Sequence, residues 1–549
     1  MSNGNSHSPG GDTGLQDMNG LIEKLALGEI AMTKEEFVQK AKDAGWADTA
    51  TVADDDATRA SDETYGGAAT VYSWRDEYGD VGPEVPELES QLYGGEFQMR
   101  SGAHLANLQL TVTVEGPTPI APFRRFEDAG LHPAVLDNIK KCGYIHPTPI
   151  QAYTIPAVLQ GKDVVAVAQT GSGKTSAYMI PIVSKLMGKG MKLRTRTTVA
   201  HPLVLIIVPT RELAIQIFDE ARRLTYRSML RPCVAYGGFP MGTQRDEMRK
   251  GCDVLIATPG RLKHLMEEPE ILSMSKVKFT VIDEADELLN NDWADELDHI
   301  LRGGDSNENP DHTYMMFSAT FPRAQRELAS EWMSEDDYVQ IRVGRAGQTH
   351  RNIEQIIIHV DRDLKQQATF DLLYASPPAR TIIFCNSIIA VDKLDDFLYN
   401  KGLPTTAIHS EHRQVEREDA MRAFKTGRRP ILIATGVSAR GWDIKDVSHV
   451  INYDLPQQQY GGITEYIHRI GRTGRIGHRG LATSFYNERD EEIAADLANT
   501  LKEMDQEVPD FLQQYLSDDG RIRFADDAGE ADEVNGEDGG TAVNGEEED

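Results

Sequence analysis

The 549-residue chain is poor in cysteine, with four (Cys142, Cys233, Cys252 and Cys385), no two of which form a C-x-x-C pair. That excludes a disulfide framework and a cysteine-built zinc ribbon, and thiols scattered among apolar neighbours point to a reducing compartment. There is no run of about eighteen apolar residues, so no membrane span is expected. The opening MSNGNSHSPGGDTG lacks both the basic stretch and the apolar core of a secretory signal. Positive charge is also scarce, with 57 Lys+Arg against 87 Asp+Glu, a net charge of -30. So acidic a chain looks unsuited to a polyanionic partner, but the acid is unevenly spread. Residues 1–118 hold 21 acidic against 7 basic side chains and residues 517–549 hold 13 against 2, which leaves 53 against 48 in 119–516. A near-neutral centre can still present a local basic groove.

The length exceeds what one hydrophobic core organises and fits two or three domains plus tails. Residues 1–118, rich in Gly, Asp, Ser and Thr, are expected to be mostly disordered. One segment differs: TKEEFVQKAKDAGW opens on Thr33, has Glu36 three places on, and carries Phe37, Ala41 and Ala44 at helical spacing. This predicts a short helix near 33–44. From about 119, apolar runs alternate with helical stretches. DVVAVA (163–168), PLVLIIV (202–208), DVLIA (253–257), KFTVI (278–282) and TYMMFS (313–318) read as buried strands. After the polar VGRAGQTHRN (343–352) the pattern resumes with QIIIHV (355–360), TIIFC (381–385), PILIAT (430–435), HVINY (449–453) and LATSFY (481–486). Such alternation predicts two α/β domains on parallel sheets, 119–343 and 353–516, followed by a disordered acidic tail, 517–549. A ligand is expected in the cleft between them.

The first of these strands runs directly into AQTGSGKT, Ala168 to Thr175. This fits a phosphate loop with Ala in place of the usual first Gly. Gly171 and Gly173 let backbone N–H groups curl around phosphate oxygens at a helix N-terminus. Lys174 would reach the β- and γ-phosphates and Thr175 would hold Mg2+. The candidate loop comprises Ala168, Gln169, Thr170, Gly171, Ser172, Gly173, Lys174 and Thr175. Further on, Asp283, Glu284 and Asp286 stand where KFTVI ends. Clustered carboxylates repel one another and are costly to desolvate, so a divalent cation or a water to be activated would justify them. Asp283 reads as a Mg2+ ligand, partly through water, and Glu284 as the group that orients and deprotonates the attacking water. The plainer reading is that these acids favour the positive end of the next helix. Both can hold, and the phosphate loop favours the catalytic role.

AQTGSGKT, PTRELAIQ (209–216), TPGR (258–261), DEAD (283–286), SAT (318–320) and HRIGRTGR (468–475) follow one another in the order of the DEAD-box ATP-dependent RNA helicases. The chain resembles that family over about 119–516. GLATSFYNERD (480–490) and QEVPDFL (506–512) are similar to its Vasa-like branch, which includes translation-associated helicases. The resemblance implies two tandem RecA-like domains, with ATP and Mg2+ as cofactors. It implies adenine recognition by GYIHPTPIQ (143–151), through the Gln151 amide, stacking by Tyr144, and His146, with Phe126 as the upstream aromatic. Arg472 and Arg475 match the family's arginine fingers, and Asp443 its ribose contact. Ser318, Thr320 and His468 match residues coupling Asp286 and the nucleotide site to domain closure. RNA binding is implied for Pro209, Thr210, Arg211, Gly237, Gly238, Thr258, Pro259, Gly260 and Arg261. In the second domain it is implied for Asn386, Ser387, Gln414, Arg417 and Thr435. Small residues and exposed N–H groups suit close approach to phosphates and 2′-hydroxyls, without reading base edges.

The chain also departs from the family. Gly436 stands where Asp or Ala is usual, Trp442 replaces Leu in RGLD, and Gly461–Gly462 lengthens the loop before the arginine fingers. Neither end carries Arg/Gly-rich repeats, and the acidic ends would repel RNA. The expected activity is RNA-stimulated ATP hydrolysis with local, non-processive unwinding or ribonucleoprotein remodelling, on mRNA in translation. The competing readings are an ATP-gated RNA clamp and, resting on the phosphate loop alone, a DNA motor. The chain is expected to be a cytoplasmic monomer, granule-associated or nucleocytoplasmic, with single-stranded and short duplex RNA as partner. Its acidic tails are candidate contacts for proteins.

Overall fold

The computed structural model describes residues 70–94, 112–169, 171–187, 199–289, 293–302, 312–319, 331–333, 338–344, 352–436, 447–474 and 479–516. The helix expected near 33–44 and the tail 517–549 lie outside them. No helix among the described residues is long and apolar enough to cross a membrane.

The first sheet has eight strands: β1 (Val112–Glu115), β2 (Asp163–Val167), β3 (Val204–Ile207), β4 (Pro232–Ala235), β5 (Val254–Ala257), β6 (Phe279–Asp283), β7 (Thr313–Ser318) and β8 (Tyr338–Val343). Their order is β1-β8-β2-β7-β6-β3-β5-β4, parallel except for the antiparallel edge pair β1/β8. Helices cover both faces, and the strand residues divide by parity. Val164, Ala166, Val204 and Ile206 enter one core; Val165, Val167, Leu205 and Ile207 enter the other. Because both faces are buried, inner strands such as β3 (VLII) and β5 (VLIA) are continuously apolar and show no alternation in sequence.

The second sheet has six parallel strands, in the order β11-β12-β10-β13-β14-β9. They are β9 (Ile353–His359), β10 (Arg380–Cys385), β11 (Thr405–Ile408), β12 (Ile431–Thr435), β13 (Val447–Asn452) and β14 (Gly480–Tyr486). The ten strands expected from apolar runs all form. The four that were not expected are β1, β4, β8 and β11. Three of these are edge strands of four residues, and β8 (YVQIRV) mixes polar and apolar positions.

In the region expected to be mostly disordered, residues 70–94 and 112–115 take defined positions. Tyr72, Leu88, Leu92 and Tyr93 are buried in the first-domain core. The Tyr93 hydroxyl donates to Arg223 O at 2.7 Å, Arg227 Nε donates to Gly82 O at 2.8 Å, and Tyr226 OH accepts from Val85 N at 2.9 Å. The segment therefore straps the C-terminal end of the helix Arg211–Leu224. Its low-complexity surroundings hid the few aromatic and aliphatic anchors that hold it.

His449 lies in the middle of β13, 4% exposed, with Nε2 2.9 Å from Thr483 Oγ1. Burial pushes its imidazole down to about 3. The unfolded chain takes up this proton near pH 6.5, so the stability that His449 contributes is fully present above that pH and is lost as the pH falls below it. The slope is about 1.4 kcal/mol per pH unit. His449→Gln, neutral at every pH, is expected to flatten this part of the dependence. The check is the urea midpoint of the second-domain transition above and below about pH 6.5; identical slopes in the two proteins would contradict the assignment.

Candidate functional site

Strand order places the motifs. β2, β7 and β6 are neighbours, and Val167 pairs with Ser318 while Asp283 pairs with Phe317. The phosphate loop, Ser318 and the DEAD acids therefore leave the carboxyl edge of the sheet side by side, where open α/β sheets bind ligands. On the other half of the sheet, β3, β5 and β4 are neighbours and lead into 209–211, 258–261 and 237–238. The residues expected at the nucleotide and the first-domain residues expected at RNA thus occupy separate halves of one edge.

The phosphate loop turns on Gly171 (φ 78°) and Gly173 (φ 89°), and Gly173 caps the helix Lys174–Leu186. A side chain at 173 is barred twice, by the left-handed backbone and by Gln151, whose Nε2 lies 2.5 Å from where a Cβ would stand. Gln151 braces the loop: Nε2 donates to Gly173 O at 3.3 Å and Oε1 accepts from Thr148 N at 3.0 Å. Each end of the amide keeps one further hydrogen-bonding position for a base edge. Lys174 is 6% exposed; its Nζ lies 3.7 Å from Glu284 Oε2 and makes no hydrogen bond. Ser172 Oγ is likewise buried without a partner. A buried ammonium and hydroxyl short of acceptors, beside N–H groups at a helix start, fit phosphate oxygens.

Asp283 is 3% exposed, and its Oδ2 accepts from Tyr178 OH at 2.9 Å. Tyr178 also hydrogen-bonds Thr175, so one phenol joins the two residues expected to hold Mg2+. Burial first, then the neighbouring Glu284, raises the Asp283 carboxyl to about 6. A divalent cation would remove both penalties, and the hydroxyl and carboxylate oxygens here suit Mg2+. Glu284 has a left-handed backbone (φ 52°), rare for a residue with a Cβ and costly by about 1 kcal/mol or more. Tyr178 was not among the residues expected from sequence. Its position one helical turn beyond Lys174 was the available signal.

A chain of contacts leaves this site for the second domain. Ala168 N donates to Ser318 O at 3.0 Å, and Ser318 Oγ accepts from Asp286 N at 3.2 Å. The Asp286 carboxylate, 1% exposed at residue level, lies 3.5 Å from His468 Nε2. Burial opposes protonation of His468, but Asp286, Glu284 and Glu465 outweigh it and raise the imidazole above its ordinary value. Arg472, one turn beyond, is buried with Nε donating to His468 O at 3.0 Å, which brings it to the same seam. Arg475, Asp443, Thr170 and Thr320 lie outside the described residues, as does Trp442.

The adenine side is less fully assembled. Tyr144 is part-buried against the core, its hydroxyl bonded to Ser176 Oγ and Glu220, while His146 is exposed. Phe126 is 3% exposed and paired with Phe123.

The residues expected to bind RNA are spread over both domains. Arg211, Gln414 and Arg417 form a polar layer between the domains. Arg211 Nη1 donates to Gln414 Oε1 at 3.0 Å, and Arg417 Nη2 lies 2.6 Å from Glu212 Oε1. Gln414 Nε2 donates to Glu418 Oε1 at 3.0 Å. Glu212 and Glu418, not foreseen from sequence, complete this layer. Gly238 (φ 83°) lies against it; a Cβ there would stand 2.5 Å from Arg211 Nη1 and 3.5 Å from Gln414 Cβ. Pro209 and Thr210 sit at the start of the helix Arg211–Leu224, which Thr210 Oγ1 caps by accepting from Leu213 N at 3.3 Å. Arg261 donates to Phe239 O at 3.2 and 3.3 Å, tying the 258–261 turn (Thr258, Pro259, Gly260) to the stretch after Gly237 and Gly238.

In the second domain, Cys385 pairs with Thr435, so Asn386, Ser387 and Thr435 share one edge of the sheet. The side chain of Asn386 is committed at both ends: Nδ2 donates to Leu455 O at 2.7 Å and Oδ1 accepts from Arg469 Nη2 at 3.1 Å. The exposed Ser387 caps the helix Ile388–Asn400. Gly461 (φ 98°) and Gly462 (φ 45°) absorb the lengthened loop, and the helix Gly462–Ile470 starts at once.

Comparison with known proteins gives two consecutive family matches: DEAD/DEAH box helicase at residues 148–328 and helicase conserved C-terminal domain at residues 364–477. Among solved structures, Saccharomyces cerevisiae Dbp5 bound to RNA and ADP BeF3 is 26% identical with a TM-score of 0.60, covering 72% of this chain and 100% of that one. A Dbp5 variant bound to a Gle1 variant and IP6 is 27% identical with a TM-score of 0.55, covering 70% and 94%. A DEAD box protein from the hyperthermophile Methanococcus jannaschii is 31% identical with a TM-score of 0.40, covering 70% and 98%.

Gly436 has a local cause. A Cβ there would stand 2.3 Å from Glu465 Oε1 and 2.7 Å from Arg469 Nη2. These buried groups form an ion pair at 2.9 Å, and Arg469 also holds Asp454 O and Asn386, so neither can step aside without breaking other bonds. Gly436→Ala is expected to destabilise the second domain by about 1–3 kcal/mol. Its melting curve is the check, and an unchanged midpoint would contradict the packing argument.

Proposed function

The chain belongs to the DEAD/DEAH box helicases and is an ATP-dependent RNA helicase, and from that premise we propose that it melts short RNA duplexes locally or remodels ribonucleoproteins, without sequence preference and without processive travel, on mRNA in translation. The observation that carries this reading is the contact chain Ala168–Ser318–Asp286–His468, which ties the nucleotide loop to the second domain. Beside it runs a second seam, Arg211–Gln414 and Glu212–Arg417, in which all but Glu212 are residues expected to bind RNA. A strand lying along both domains and a nucleotide lying between them would thus depend on one closure.

At the nucleotide, the Lys174 ammonium would pair with phosphate oxygens and the loop N–H groups would hold the rest. Thr175 and Asp283 would hold Mg2+, which when bound neutralises charge developing on the phosphate oxygens. Glu284 would orient a water and take its proton. Arg472, carried to the seam beside His468, would add positive charge only when the domains meet. Four buried cysteines, none of them in a disulfide, suit a reducing, cytoplasmic setting.

The decisive measurement is ATP hydrolysis with and without RNA, run beside strand displacement. Stimulation together with displacement supports the helicase reading; stimulation without displacement favours the clamp; equal hydrolysis with and without RNA refutes the coupling. Competition between RNA and DNA of equal sequence tests the use of the 2′-hydroxyl. Glu284→Gln is expected to cut turnover by roughly 10²–10⁴ while ATP-dependent RNA binding persists, as read by filter binding.

We also propose that the acidic ends weaken nonspecific RNA binding. Trimming at 119 would remove β1 and the strap 70–94, so the chain to test is 70–516. It is expected to bind single-stranded RNA more tightly than the full chain at low salt, with the difference shrinking as salt rises. Equal affinity at low salt would remove the idea.

A further inference from the structure

β11 (Thr405–Ile408) is an edge strand of the second sheet, and His409 follows it directly. His412 stands in the turn that leads to the helix Gln414–Lys425, and Asp392 lies in the first turn and a half of the helix Ile388–Asn400. The fold brings the three together. His409 Nε2 lies 3.0 Å from Asp392 Oδ1, and the two imidazole rings are 3.6 Å apart between centroids. One ligand atom from each residue falls within 4.8 Å of the other two, the one such cluster of three or more His, Cys, Asp or Glu among the described residues. No role in ATP or RNA binding has been assigned to any of the three.

The hydrogen-bond inventory is incomplete at this cluster. His409 is 4% exposed, and the Nδ1 atoms of both His409 and His412 are buried without a hydrogen-bond partner. Buried imidazole nitrogens are ordinarily satisfied by protein or water. The ligand atoms of a tetrahedral zinc ion, bonded at about 2.0–2.1 Å, stand roughly 3.3 Å apart. The His409–Asp392 pair, at 3.0 Å, is already near that spacing, and the three ligand atoms lie within 4.8 Å of one another. Two ligands come from regular elements or their immediate ends, and the exposed Asp392 leaves a path for entry.

We propose that Asp392, His409 and His412 form a binding site for a divalent transition ion of the zinc class, with one position left open. Two imidazoles exclude Mg2+ as the natural occupant, so this site differs in chemistry from that of Thr175 and Asp283. A bound ion would fix the 409–413 turn, which leads into the helix that carries Gln414 and Arg417 to the first domain.

The test titrates Zn2+ into the metal-free full-length chain against a chromophoric chelator, for wild type, His412→Gln and Asp392→Asn. Wild type is expected to show one tight equivalent that either variant weakens at least roughly tenfold. Weak binding by the acidic ends is common to all three proteins and cancels in the comparison. Co2+ is the second probe: wild type is expected to give the intense visible bands of a tetrahedral ion, and His412→Gln to lose them. RNA-stimulated ATP hydrolysis in Mg2+ reports that the variants are folded. If wild type binds no tight equivalent, or if both variants bind Zn2+ and Co2+ as wild type does, the site does not exist.

Discussion

Asp286 carries a carboxylate almost wholly out of water, and the architecture of the active edge follows from how that charge is accommodated. Desolvating an isolated carboxylate is expensive, so the group needs fixed partners. Ser318, at the end of the neighbouring strand, receives the Asp286 backbone N–H, while His468 from the other domain faces the carboxylate. The second contact exists only when the domains meet. Separation would leave a buried acid facing water alone on one side and a buried imidazole on the other. The electrostatics of one residue therefore make the two sheets interdependent, although each has its own core.

The sheet register turns that dependence into geometry. β2, β7 and β6 lie side by side, so the phosphate loop, Ser318 and Asp283 are neighbours because their strands are. The phenol of Tyr178 then reaches between Thr175 and Asp283 from the helix that the phosphate loop opens. The left-handed backbone of Glu284 aims its carboxylate at Lys174 while Asp283 stays with Tyr178. Two adjacent acids thereby acquire different partners, which suits different tasks.

Much of this was legible in the residues themselves. Doubly buried strands such as VLII, and DVVAV after its first residue, have no polar positions, so their apolar runs are unmistakable, and AQTGSGKT is read by its glycines and lysine. What escaped notice had physical reasons for doing so. β1, β4 and β11 are four-residue edges with too little apolar sequence to stand out. The strap at 70–94 rests on a few anchors within acidic, Gly-rich surroundings. Arg211, Gln414 and Arg417 were singled out along the chain, but the pairings they make, Arg211 with Gln414 and Arg417 with Glu212, join residues more than 200 positions apart, which no local pattern encodes. Gly436 looked anomalous as a letter and became intelligible only once Glu465 and Arg469 were seen against it.

The helix Arg211–Leu224 has fourteen residues, a rod of about 21 Å. Its far end is gripped by the 70–94 strap through Tyr93 and Arg223, and its near end holds the second domain through Arg211 and Glu212. A rigid rod transmits displacement along its axis. The strap thus fixes the end of the rod opposite Arg211 and Glu212, and loosening it would slacken the hold on the second domain without altering a single contact made there.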